Sequence, residues 1–342
     1  MPDDSTTGDA PIDWQRALRI ERILLPSAST RRAQHYRHPN EGENPSAQFA
    51  HYTSAEAALS IIKNKCIWMR STTCMSDYRE MHHGYENLVK VFGEANIRKS
   101  LEEVLDPIFP GAVGEALTLF EQWWQHIPLK IPLNTYVTSV SEHSNEENAH
   151  GRLSMWRAMR SGGGRVAIVI RVPWRSNVNQ ALKLIFAPVS YAPLPAVQSE
   201  LKAVIGQIPQ EADYLRRQDR KFILGALFNM VRAHVIAAKH EGFHEEREWR
   251  VIYSPKMESS PLIKSDVEVV DGIPQIVHKI PLYGNQDGLP TDLDLPNLFE
   301  RVIIGPTQYP WAMFEAFTEA LKVVGVPNAA EKVSVSHIPI RT

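Results

Sequence analysis

Cysteine is nearly missing from this chain: two residues, Cys66 and Cys74, in 342. Two thiols make no disulfide framework, and the expectation is a reducing compartment, the cytoplasm. Charge of one sign is missing as well. Lys and Arg number 37 against 39 Asp and Glu, a formal net charge of -2, so no global positive field draws nucleic acid or anionic lipid to the surface. No run of roughly 18 apolar residues occurs. The opening, Met1-Pro2-Asp3-Asp4-Ser5, is acidic and polar without the apolar stretch of a secretory signal, and no membrane partner is expected. A GxSxG elbow, a P-loop and a kinase signature are also lacking, which leaves those acyl- and phosphoryl-transfer chemistries unsupported. Gly162-Gly163-Gly164 lacks GxGxxG spacing and reads as a turn.

What remains is a composition of 43% hydrophobic and 22% charged residues, enough for a core of normal size. Residues 1–46 read as a variable, partly ordered leader around one amphipathic patch, Trp14 to Leu25, with the ordered domain starting near Gln48. Residues 47–342 read as a single domain with helical insertions near 80–130 and 195–240. Elsewhere strands and helices alternate irregularly, which predicts an α+β fold with a mixed, mainly antiparallel central sheet. Gln48 to Tyr52 has strand character, and Thr53-Ser54-Ala55-Glu56 has capping-box spacing ahead of a helix. His51 is thereby expected at a strand end beside a helix N-terminus, where backbone N–H groups converge on anions.

Three stretches offer polar groups on strands: His51, Tyr136 to Ser141, and Glu246-Arg247-Glu248-Trp249-Arg250. If the last is extended, Glu246, Glu248 and Arg250 share one face and Trp249 takes the other. His240-Glu241-Gly242-Phe243-His244 matches the HExxH zinc pattern, which works only on a continuous α-helix. Gly242 inside it, at an expected helix-to-strand change, argues against a metal, and none is expected. Trp123 and Trp124 read as core and rim.

In order, His51-Tyr52-Thr53-Ser54, Asp77 and Glu80, Ser139-Val140-Ser141-Glu142, Trp156, Gly164 to Ile170, Phe243 with Glu246 to Arg250, Gly305-Pro306 and Ser336 to Arg341 resemble the bacterial family catalogued as domain of unknown function 2971. The resemblance spans about Phe49 to Arg341 and implies no activity. Where that family has Cys-Phe-Ser on its middle strand, this chain has Ser139-Val140-Ser141. More distantly, the constellation is similar to ADP-ribosyltransferases, which place a His or Arg, then a Tyr or Ser-Thr-Ser, then a Glu, often within Glu-x-Glu, on successive strands. Here His51 pairs with Glu-x-Glu, a combination that mixes two variants of that pattern.

This second resemblance implies an ADP-ribosyltransferase-like fold and NAD as substrate, in a toxin or defence effector. It implies His51 on a ribose hydroxyl and Glu248, with Glu246, stabilising the oxocarbenium-like ribose as nicotinamide leaves. Tyr52, Thr53, Tyr136, Ser139, Trp156 and Arg250 complete the expected NAD-contacting set, with His51 and Glu248 in one concave pocket. The alternative is a non-catalytic nucleotide- or protein-binding module of related fold.

Overall fold

A computed structural model describes residues 13–38, 42–43, 46–74, 78–93, 95–125, 134–159, 163–173, 178–284, 289 and 293–339. Two helices come first, α1 (Trp14–Leu24) and α2 (Pro26–Tyr36). The Asp13 carboxylate accepts the Arg16 backbone N–H and caps α1. A short pair, β1 (Arg37–His38) and β2 (Gly42–Glu43), leads to β3 (Ser46–Ser54). Ser54 accepts the Ala57 N–H at 3.1 Å and starts α3 (Ala55–Asn64), one residue later than the Thr53 box predicts. Lys65, in the left-handed region, turns the chain into β4 (Cys66–Ser71).

Helices α4 (Tyr78–Gly93), α5 (Ala95–Leu105) and α6 (Ala112–Gln125) precede β5 (Tyr136–Glu142). Then follow α7 (Leu153–Ala158), β6 (Arg165–Pro173), β7 (Ile185–Pro188), α8 (Leu194–Gln207), α9 (Arg220–Ile236) and β8 (Glu248–Tyr253). A hairpin of β9 (Lys264–Val270) and β10 (Ile273–Pro281), then β11 (Phe299–Ile304), α10 (Pro310–Val323) and β12 (Val333–Val335) complete the order.

The chain is α+β, with one ten-stranded sheet in the order β12-β11-β6-β3-β5-β4-β10-β9; β8 also pairs with β5, and β7 with β8. All neighbours in it are antiparallel except β11 and β12. At β5 the sheet forks. β8 pairs along it from Tyr136 to Ser141, so β3, at Ser141 and Glu142, and β4, at Tyr136 and Val137, must divide its other edge.

On one sheet face, Val166, Ile168, Val302 and Ile304 pack with Ile61 and Ile62 of α3 and Phe317 and Leu321 of α10. On the other, Trp156 of α7 covers Ala50, Ala167, Val169 and Ile303. The helical insertions fold against each other, with Leu88, Leu101 and Phe120 meeting Leu201, Leu227 and Val231.

The ordered part begins well before Gln48. Ile20, Ile23 and Leu24 of α1 join the helical core, and Tyr36 of α2 packs with Phe49, Phe186 and Trp249. The reason is apolar area: these side chains leave water by docking on elements distant in sequence, among them Leu201, Leu227, Phe186 and Trp249. The stretch Leu182 to Val189 is helical to Leu182 and extended only over Ile185–Pro188. Asp77 and Arg341 of the family resemblance lie outside the described residues, as does the side chain of Glu80.

Candidate functional site

The fork at β5 brings Ser139 and Glu248 together. Cross-strand pairs place Ser139 opposite Arg250 and Ser141 opposite Glu248, so these four side chains share one face. Ser139 Oγ donates to Glu248 Oε1, Arg250 Nε donates to the same oxygen at 2.9 Å, and Lys239 Nζ reaches Glu248 Oε2 at 3.1 Å. Arg250 also holds the end of α9 through the Ile236 carbonyl at 2.6 Å. Glu248, Arg250 and Lys239 are each buried. Burial alone raises a carboxyl pKa, but Arg250, Lys239 and the Ser139 hydroxyl outweigh it and hold Glu248 at about 2. This carboxylate is ionised, neutralised and closed off.

Glu246 does not lie on β8. Residues Glu241–Glu246 form a 3₁₀ helix and Arg247 has φ 44°, so the strand begins only at Glu248. Glu246 still meets the cluster through Lys239, 2.8 Å away. The same 3₁₀ turn breaks the HExxH geometry. At three residues per turn, residues four apart point about 120° from one another, so His240 and His244 do not share a face. Instead His240 Nδ1 accepts the Gly242 N–H, and His244 Nδ1 lies 3.0 Å from the Glu241 carbonyl.

His51 and Glu248 occupy opposite faces of the sheet. Ala50 pairs with Ser141 and Phe49 with Glu142, so alternation sends Ala50 and Tyr52 to the Glu248 face and Phe49, His51 and Thr53 to the other. The shared pocket expected from the sequence is therefore not formed. His51 instead closes the fork: its Nδ1 donates to the Ser139 carbonyl at 2.9 Å, on the stretch of β5 that neither β3 nor β4 pairs. Burial lowers the His51 pKa below its usual 6.5, against the opposing pull of that carbonyl.

Trp156, Tyr52 and Tyr136, also expected as NAD contacts, are packed side chains. Trp156 is fully buried, and its Nε1 donates to the His150 carbonyl at 2.8 Å. Its indole is pressed between Gly151 and Gly305, where an added Cβ would lie 2.6 and 2.8 Å from ring atoms. No ligand surface is left on it. Tyr52 stands edge-on to Trp156 and its hydroxyl accepts the Arg152 N–H at 2.8 Å. Tyr136 is buried against His278, with ring centroids 4.1 Å apart.

A large opening lies elsewhere, a cavity of about 1530 Å³ between α1, α2, the outer edge of β7 and α9. None of His51, Ser139, Glu248 or Arg250 lines it. Arg32 Nη2 donates to the Phe186 carbonyl at 3.0 Å and Arg31 Nη1 to the Val189 carbonyl at 2.6 Å, so α2 satisfies acceptors along β7 that no strand pairs. Arg31 also meets Glu142, which accepts from Trp249 Nε1.

From α9 the cavity receives Lys221, Gly225, Phe228, Asn229, Arg232 and Ile236, a single stripe at helical spacing. Reading the sequence missed Arg232. Its one signal is a cation set among Phe228, Met230, Val231 and Val235 on a helix whose apolar face is broad.

Scans of the chain against protein-family models, curated proteins and solved structures each find no match, so they add no support to either family resemblance. Among the described residues no helix is long and apolar enough to cross a membrane.

Proposed function

We propose that this chain is a ligand-binding module whose site is the cavity beneath α1 and α2. The observation that carries this reading is the contrast between the two places where chemistry is concentrated. The Glu248 carboxylate is occupied by Ser139, Arg250 and Lys239 and withdrawn from solvent, whereas the cavity is open and of ligand size or larger.

The test uses N-phenyl-1-naphthylamine, a neutral apolar fluorophore, and Gly225→Trp. A Cβ at Gly225 meets nothing within 4 Å, so the indole enters the cavity without displacing backbone. The wild type is expected to enhance the probe's fluorescence saturably and Gly225→Trp to weaken binding at least 10-fold. No saturable binding by the wild type, or equal binding by both, overturns the reading.

A second reading, an ADP-ribosyltransferase-like enzyme acting on NAD as toxin or defence effector, is favoured by one observation: the hydrogen bond from Ser139 to Glu248 on adjacent strands at the sheet fork. It requires Lys239 and Arg250 to release Glu248 when NAD arrives. Incubation of the wild type with labelled NAD, with and without cell lysate as acceptor source, tests it. Nicotinamide release sustains this reading, and intact NAD in both incubations removes it.

A further inference from the structure

Arg232 is a buried cation set among apolar side chains. It is 7% exposed, it lines the cavity, and no carboxylate among the described residues comes within ion-pair distance. The nearest acid to influence it, Glu258, is engaged by Lys183 at 2.9 Å. What the guanidinium touches is soft: Met257 Sδ at 3.1 Å from Nη1, and the Phe228 ring with its centroid 5.8 Å away. Loss of water around it lowers its pKa to about 10, which leaves it protonated at neutral pH.

A second polar group on the cavity wall, Ser254 Oγ, is buried without a hydrogen-bond partner. Apolar wall around them comes from Leu184, Ile185, Phe228, Ile236, Ile252 and Met257, and the cavity lining also carries charge, Lys183, Lys221, Glu200 and Glu258 among it. A guanidinium offers five N–H donors in a fixed fork that matches two oxygens of one anion. Kept dry and without a carboxylate, it has donors to give to a guest.

Resting on the ligand-binding reading, we infer that the cavity takes a small amphiphile, an apolar body carrying one anionic head, with Arg232 gripping the head and Ser254 donating beside it. A carboxylate and a phosphate monoester share this chemistry. The apolar wall accepts the body, and the cavity's size admits a chain or ring system of ordinary ligand dimensions with room to spare.

Displacement of N-phenyl-1-naphthylamine by four ten-carbon probes, below their micellar concentrations, tests this: decanoate, decyl phosphate, decanol and decyltrimethylammonium. The anions are expected to compete at least 10-fold more strongly than decanol, and the cation not at all. Whichever anion binds more tightly identifies the head group. Arg232→Met should abolish the advantage of the anions while leaving decanol unchanged, and Arg232→Lys should restore part of it. Met also removes an isolated interior charge, so a Tm at or above that of the wild type is expected, where an arginine needed for folding would give a lower one. Equal competition by anions and decanol in the wild type overturns the inference and leaves the cavity reading standing. Absence of fluorophore binding overturns the cavity reading itself. Should Arg232→Met not fold, the wild-type comparison of anions with decanol decides alone.

Discussion

Replacing Glu248 by Gln keeps the shape of the β8 cluster and removes its charge. The variant retains an acceptor for Ser139 but leaves the Arg250 and Lys239 cations facing a neutral amide in a buried place. The fall of the Glu248 pKa from 4.5 to about 2 sets the scale. At 1.36 kcal/mol per pH unit it corresponds to about 3 kcal/mol of folding stability at neutral pH. Removing one partner of a buried ion pair typically costs 3–5 kcal/mol, in agreement. The sign follows from linkage. The folded carboxyl holds its proton less tightly than the unfolded one, so the contribution is complete above about pH 4.5 and lost as pH falls towards 2.

Urea unfolding at pH 7 and at pH 4, 3.5 and 3 reads both effects. With a slope of about 3 kcal/mol per molar urea, Glu248→Gln should shift the pH 7 midpoint down by about 1 M. It should also lose less stability than the wild type on acidification. A pH 7 penalty under about 1 kcal/mol, or parallel acid curves, would refute the claim that Glu248 is a buried, neutralised anion. Adding Lys239→Met to Glu248→Gln should recover part of the loss, since one uncompensated cation goes with it.

Four histidines, His35, His51, His143 and His278, are held below the usual pKa, chiefly by burial. Because the unfolded chain binds their protons more readily, stability should fall as pH drops below about 6.5, and His51→Leu should flatten part of that slope in urea midpoints. Gly305→Ala should cost roughly 1–3 kcal/mol in the same assay, since its Cβ would lie 2.8 Å from the Trp156 ring on a fully buried indole. Gly206→Ala, where a Cβ meets nothing within 4 Å and φ is not positive, is the control without a clash.

Much of the sheet was legible because its strands are rich in β-branched residues over short runs, as in Arg165-Val166-Ala167-Ile168-Val169-Ile170. The grouping of Ser139, Glu248 and Arg250 was legible too, since two-residue alternation along β8 and the polar content of β5 are local properties. The sheet face taken by His51 was not. It depends on the register Ala50 to Ser141 between strands about ninety residues apart, and a shift of one residue would reverse it. Glu246 was misassigned for a local reason: one residue, Arg247, adopts a left-handed backbone that no glycine or asparagine at that place announces. The cavity was invisible. An arginine beside apolar residues on a helix usually extends its head to water, and only the arrival of β7 and residues 254–258 encloses Arg232.

The seating of α1 and α2 carries a consequence for synthesis. Arg16 grips Asp219, Arg19 grips Glu211, and Arg31 reaches the Val189 carbonyl, across separations of 203, 192 and 158 residues. At roughly 5–20 residues per second, these partners leave the ribosome on the order of ten to forty seconds after the helices that need them. These two helices are therefore made long before they can dock. In that interval their apolar sides have only solvent or chaperone to meet, and the cavity beneath them does not exist. A guest that meets the nascent protein before the helices seat gains its roof as they dock, whereas one that arrives later enters through the cavity's open side.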